Sequence, residues 1–148
     1  MNTGAWILVA TVALTLAFGG YRALTDGRFR GTHKVRGAGA GPAAAEATSV
    51  LAGTPWEADL GSEYTLLQFS SAFCAPCRAT RRILEDVVAV VPGVQHLEVD
   101  AEHHLDVVRR LGILRTPTTL ILDARGVEIT RATGAPTKQQ VLGALGAL

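Results

Sequence analysis

The sequence predicts an α/β domain behind one amino-terminal membrane-spanning helix. Three observations carry this. From Thr65 onward, β-prone apolar runs alternate with stripes of helical spacing, in the order strand, helix, strand, helix, strand, strand, helix. The only two cysteines, Cys74 and Cys77, stand where the first of those strands hands over to the first helix. Ahead of all this, Met1 to Tyr21 contains no charged side chain.

The amino-terminal stretch is read first. Trp6-Ile7-Leu8-Val9 and the run from Val12 to Phe18 are strongly apolar. As a helix the stretch spans about 30 Å, the thickness of a hydrocarbon core. Trp6 and Tyr21 lie near its ends, where interfacial aromatic residues belong. A cleaved signal peptide is the rival. It would want positive charge before the apolar run and a small-residue cleavage site after it. The first is missing, Gly19-Gly20-Tyr21-Arg22 is a poor cleavage site, and no cysteine is available for lipid attachment. Residues 1–24 are therefore expected to stay as a single-pass plasma-membrane anchor in contact with the lipid bilayer. No Lys or Arg precedes the span, whereas Arg22, Arg28, Arg30, Lys34 and Arg36 come after it. The positive-inside rule places the chain beyond the span in the cytoplasm. Residues 25–48 are basic, then Gly/Ala-rich without periodicity from Gly31 to Thr48, and read as a flexible linker. Such a tether has an r.m.s. reach on the order of 20–25 Å.

The domain is expected over 49–148. Ser49 to Asp59 admits a short strand near Val50-Leu51 and a turn at Gly53-Thr54-Pro55, with Trp56 as a core residue rather than a lid. Thr65 to Ser71 reads as a strand. Ile83, Leu84, Val87, Val88 and Val91 then form one helical stripe, which Pro92-Gly93 ends. Val94 to Asp100 alternates as a strand, and Asp100 is a plausible N-cap for a short helix bearing Leu105, Val108 and Leu111 up to Gly112. Thr119 to Leu122 is strongly β-prone. Asp123 to Gly126 is a turn, and Val127 to Arg131 the return strand. Thr137-Lys138-Gln139-Gln140 fits a capping box opening a last helix lined by Val141, Leu142, Leu145 and Leu148. The net charge is only +1, and beyond residue 43 nine basic residues face twelve acids, so no nucleic-acid surface is expected.

A strand-to-helix handover is a chemically privileged place for a cysteine. The first backbone N–H groups of a helix lack partners within it, and the helix dipole puts partial positive charge there. A thiolate at Cys74 is stabilised at that spot, which lowers its pKa and raises its nucleophilicity near neutral pH. Pro76 suits an early helical position because its missing N–H was unpaired anyway. Arg78, Arg81 and Arg82 add positive charge, either as thiolate-tuning groups or as solvated surface residues. Zinc is disfavoured, since there is no second cysteine pair and the four histidines lack ligand-like spacing. A purely structural disulfide is also disfavoured, because so small a loop gains little stability.

The motif Phe73-Cys74-Ala75-Pro76-Cys77-Arg78, between that strand and that helix, resembles the active site of the thioredoxin superfamily. The resemblance runs from about Thr65 to the carboxyl terminus. It implies the thioredoxin fold, a central mixed sheet flanked by helices, with an abbreviated amino-terminal part because little room remains before Thr65 for the usual strand and helix. It also implies a redox-active disulfide in which Cys74 is the nucleophile and Cys77 resolves. Thr116-Pro117 matches the position where the family carries a cis proline, with the Thr116 backbone pairing with substrate. Gly134 resembles the glycine that leaves room beside that groove, which Phe73, Ala75 and Pro76 would border.

Departures from the family pattern are as informative. Phe73 stands where Trp is usual, and Ala75 where Gly is common. Gln68 occupies the place of a buried acidic residue, and His96 that of a nearby lysine. Gln68 and Arg78 are the expected pKa-tuning positions. Because Gln68 cannot take a proton, the thiol of Cys77 would need another acceptor, His96 or water. His96 is read as facing solvent, and His103-His104 as solvated residues at a helix start. The function implied is a membrane-tethered thiol–disulfide oxidoreductase, a cytoplasm-facing reductase of disulfide-containing proteins. It needs no cofactor or metal, and a thiol or flavoprotein electron donor would re-reduce it. The alternatives are an extracytoplasmic reductase of exported or apocytochrome thiols, or a non-catalytic docking module at the membrane.

Overall fold

The computed structural model describes residues 3–25, 27–31 and 48–146. The tether expected at Gly31 to Thr48 therefore lies almost wholly outside the described residues. Helix α1 (Thr3–Thr25) is long and apolar enough to cross a bilayer, and its large apolar side chains are exposed along its length. The hydroxyls of Thr11 and Thr15 donate back to the carbonyls of Ile7 and Thr11, at 2.8 and 2.9 Å, so neither leaves an unsatisfied polar group on that surface.

Seven of the remaining elements follow the predicted order. They are β2 (Tyr64–Ser70), α2 (Ala75–Val88), β3 (Val94–Asp100), α3 (Leu105–Arg110), β4 (Thr118–Asp123), β5 (Glu128–Thr133) and α4 (Lys138–Gly146). The eighth, β1 (Phe29–Gly31), falls inside the stretch expected to be linker. Its three residues have no readable period; the free edge of β5 makes them a strand, with Phe29 opposite Ala132 and Gly31 opposite Thr130. The sheet order is β1-β5-β4-β2-β3, with β2 and β3 parallel and the other neighbours antiparallel. This is the expected mixed sheet, flanked by helices.

Two apolar layers sandwich the sheet. Leu66, Leu84, Val87, Ile121 and Val141 pack beneath α2 and α4. Leu67, Phe69, Leu97, Val99, Leu120 and Leu122 fill the other face with Val107 of α3 and Leu51. Leu51 is buried, but the expected strand around it is absent: residues 50–58 form turns, held by Val50 N–H on the Gly126 carbonyl. Trp56 packs partly buried on that layer and meets the His104 ring at a tilt of 60°, ring centroids 4.7 Å apart, so His104 is not the free solvated residue expected. Asp100 does not cap α3. His104 holds the N-cap position, while Asp100 accepts from the Glu102 amide and His103 in the preceding turn. Within α3 it is Val107 that is buried, and Leu105 is half exposed. The capping box of α4 is present, with Thr137 N–H on Gln140 Oε1 and Gln140 N–H on Thr137 Oγ1.

Candidate active site

Strand β2 delivers the chain to its upper end at Ser70, and α2 begins five residues later. Cys74 is the N-cap of α2, with extended backbone angles, and its sulfur accepts the Cys77 amide at 3.1 Å. An N–H left without a helical partner at the helix start is thus aimed at the Cys74 sulfur. Pro76 lies in the first turn, where it forfeits no helical bond. Cys74 and Cys77 form a disulfide. The two sulfurs differ in setting: Cys74 is half-buried, whereas Cys77 is 2% exposed. Phe73 projects fully into solvent beside them.

The Thr116–Pro117 peptide is cis, as the resemblance implies. Its loop is fastened from several sides. Ser71 Oγ, just before the motif, pairs with Thr116 Oγ1 at 3.1 Å; Gly134 N–H donates to the Pro117 carbonyl at 2.8 Å; Thr118 Oγ1 donates to the Arg115 carbonyl. Gly134, at φ 97°, adopts a backbone conformation that suits glycine. The fold therefore brings Cys74, Cys77, Thr116, Pro117 and Gly134 to one end of the sheet, with Phe73, Ala75 and Pro76 exposed around them.

Beneath the cysteines, Gln68 is fully buried and bridges two groups. Its Nε2 donates to the Cys77 carbonyl at 3.0 Å, and its Oε1 lies 3.1 Å from His96 Nε2. A carbonyl can only accept, so the amide NH₂ must face Cys77 and the amide oxygen must face the imidazole. His96 Nε2 therefore carries the proton. His96 does not face solvent as expected. It sits half-buried on the α2 side of β3, opposite Leu66, and its burial pushes its pKa below the ordinary histidine value. Gln68 thus links His96 to the Cys77 carbonyl.

One turn along, Arg81 pairs with Glu98 at 2.5 Å. Burial alone would raise Glu98, but hydrogen bonds from Arg81 and Ser70 hold its carboxyl below the usual range. Arg81 is thus committed to an ion pair, while Arg78 is exposed at the start of α2. Cys77, Arg78, Arg81 and Glu98 line an open cleft of about 290 Å³ beside the disulfide. The buried hydroxyls of Thr80 and Thr119 make no hydrogen bond among the described residues. Ser71, Thr80, Glu98 and Thr119 carry no signal in the sequence, because their neighbourhood depends on strand register and helix facing rather than on any motif. No cluster of His, Cys, Asp or Glu fit for a metal occurs among the described residues.

A dithiol pair at a helix start, one sulfur accessible and one buried, opposite a cis proline on a mixed sheet, defines a thiol–disulfide oxidoreductase. The thioredoxin family model matches residues 47–146, and the chain belongs to that family. It is 29% identical over 83 residues to the thioredoxin of Chlamydia trachomatis, covering 56% of this chain and 80% of that one. It is also 29% identical over 69 residues to the SPbeta prophage-derived thioredoxin-like protein YosR of Bacillus subtilis, covering 47% and 80%. Among solved structures, a mutant thioredoxin from Halobacterium salinarum superposes with a TM-score of 0.54 at 14% identity, over 58% of this chain and 74% of that one. Fasciola hepatica thioredoxin superposes with a TM-score of 0.52 at 20% identity, over 59% and 82%. These two show the shared fold. Strand β1 and helix α1 lie outside the matched stretch.

Proposed function

We propose that this chain is a membrane-tethered protein disulfide reductase whose domain faces the cytoplasm. The observation that carries the reading is the asymmetric dithiol: a partly accessible Cys74 receiving the Cys77 amide, and a Cys77 shielded behind it. In the reduced form the Cys74 thiolate attacks a protein disulfide, forming a Cys74–substrate bond and expelling one substrate thiolate, which takes a proton from water. Cys77 then gives up its proton to water in the adjoining cleft and attacks Cys74 Sγ. The second substrate thiolate leaves, and the Cys74–Cys77 disulfide of this structure remains. Two electrons pass to the substrate, and a thiol or flavoprotein donor restores the dithiol.

Several features support the finer parts of the reading. Helix α1 has the length and apolarity of an anchor, and the basic residues of this segment all lie on its carboxyl-terminal side. A reducing cytoplasm favours action as a reductase. Thr116, Pro117 and Gly134 would border the groove in which a substrate strand lies. Insulin reduction driven by a chemical thiol is the direct test of the chemistry. The wild type should turn over, and Cys74→Ser should lose at least about a thousandfold of that rate, since the attacking atom is gone. Activity surviving in Cys74→Ser would sink the assignment. Orientation is tested separately: a membrane-impermeant maleimide applied to intact, reduced cells should leave Cys74 unlabelled, and ready labelling would move the domain outside.

A further inference from the structure

The expected tether would let the domain wander from the bilayer, and the structure replaces its first part with a fixed joint. Helix α1 ends at Thr25, and Gly27 is already pinned to the sheet. Gly27 is buried, its N–H donates to the Thr133 carbonyl at 3.0 Å, and at φ 70° it packs so closely on the Ala135 carbonyl that a Cβ would collide there. Two residue steps separate Thr25 from Gly27, at most about 7 Å of chain. Strand β1 then extends the joint along β5.

Strand directions decide which end of the domain this joint occupies. Strand β2 runs up toward Cys74, β4 descends from Pro117, and β5 rises again to Thr133. Strand β1 is antiparallel to β5 and starts opposite Ala132, so it enters at the upper end and runs down. Thr133 lies opposite Thr118, Thr118 lies opposite Phe69, and Gly134 is bonded to Pro117. The anchor thus joins the sheet at the end that carries the dithiol. From β1 to β2 is three strand spacings, about 14 Å. The opposite end, at the Asp123–Gly126 turn, lies roughly 20 Å further off along strands six residues long.

Exposed side chains at this end fit such a setting. Phe73 is 100% exposed and Leu114, three residues before Pro117, is 95% exposed. Arg22 and Arg28, both exposed, flank the joint where lipid phosphates would lie.

We infer that the dithiol works at the bilayer surface, on disulfides carried by integral membrane proteins within roughly 20–25 Å of the point where α1 leaves the lipid. The inference rests on the reading of α1 as an anchor and of the domain as a reductase, but not on which side of the membrane it faces. Phe73 and Leu114 would meet an apolar membrane-proximal segment of that partner. Its disulfide would be reduced by the same two exchange steps, attack by Cys74 and resolution by Cys77.

The test uses the full chain in phosphatidylcholine–phosphatidylglycerol vesicles with a single-span reporter carrying one disulfide-closed loop. In one reporter the loop comes directly after the span; in the other a rigid 40-residue helix lifts it about 60 Å. The near loop should be reduced at least tenfold faster. The same helix inserted after Thr25 of this chain should reverse the preference while leaving insulin reduction in solution unchanged. Equal rates on the two reporters, or faster reduction of the lifted one by the wild type, would overturn the inference while leaving the reductase reading intact. Failure to reduce insulin would strike the reductase reading instead, and failure to float with vesicles would strike the anchor; either takes this inference with it. If the insertion variant loses insulin activity through misfolding, the near-to-far ratio of the wild type alone decides.

Discussion

The two faces of β2 carry opposite chemistry. On the α3 side the middle of the central strands is apolar, where Leu67 and Phe69 meet Leu97, Val99, Leu120 and Leu122, and buried Thr65 and Thr118 stand only at the two ends of the row. On the α2 side the row begins in the same way with Leu66 and Ile121. It turns polar as it approaches the cysteines, with Gln68, Ser70, Thr119 and Thr80 all buried and His96 half-buried. One face is built for cohesion through its middle, with a single buried threonine at either end. The other gives up cohesion within a strand's length of the cysteines, where buried Gln68 holds the Cys77 carbonyl and His96.

The largest expected effect lies on the apolar face. Phe69→Ala should cost about 3–5 kcal/mol in chemical denaturation, the usual range for truncating a fully buried aromatic residue. A loss under about 1 kcal/mol would mean that this face collapses freely, and the contrast between the faces would be wrong. Next comes Gln68→Leu, which keeps the bulk but strips the Cys77 carbonyl and His96 Nε2 of their shared partner. A loss of about 1–3 kcal/mol is expected, together with slower resolution of a preformed Cys74 mixed disulfide in stopped flow. Unchanged stability and rate would show that the bridge does nothing for Cys77. Thr119→Val replaces a buried hydroxyl that has no partner among the described residues. It should be neutral or stabilising by up to about 1 kcal/mol, because a same-shaped apolar group avoids the desolvation cost. Clear destabilisation would reveal that the hydroxyl is satisfied, by a water for instance.

Much of the core was legible in the sequence, since the continuous β-prone runs of β2 and β4 and the stripe in α2 are patterns of single segments. The Cys74–Cys77 pair was legible for the same reason: motif, strand and helix are contiguous. What could not be read depends on contacts between distant segments. Strand β1 is three residues long and exists because β5 has a free edge, so a Gly/Ala-rich neighbourhood concealed it. His96 looked solvent-facing because β3 alternates with a buried Leu97; only the parallel register, His96 opposite Leu66, sets its ring against Gln68 two residues up the neighbouring strand. Leu105 and Val107 exchanged roles because α3 is too short for periodicity to fix its phase.

The smallest expected effect sharpens the polar side of the comparison through pH. Burial disfavours the imidazolium form of His96, and Arg81 opposes it further; Glu98 and Glu85 act the other way, and the net shift is downward. The unfolded chain then binds a proton at this site more readily than the folded one. Stability gained from keeping His96 neutral is complete above the unfolded value, near 6.5, and is lost as pH falls below it. Over roughly pH 5–6.5, wild-type stability should therefore rise with pH, with a contribution bounded by the one-proton slope of about 1.4 kcal/mol per pH unit. Glu98, Asp100 and Asp123, all held below their ordinary values, lose their contributions only at more acid pH, so their window is separate. In His96→Gln the rise between pH 5 and 6.5 should flatten, because a neutral amide near Gln68 does not titrate. Urea midpoints of the two proteins across that range supply the measurement. Parallel curves would mean that His96 takes a proton as easily folded as unfolded, and that the polar half of this face is open to water rather than buried beneath the dithiol.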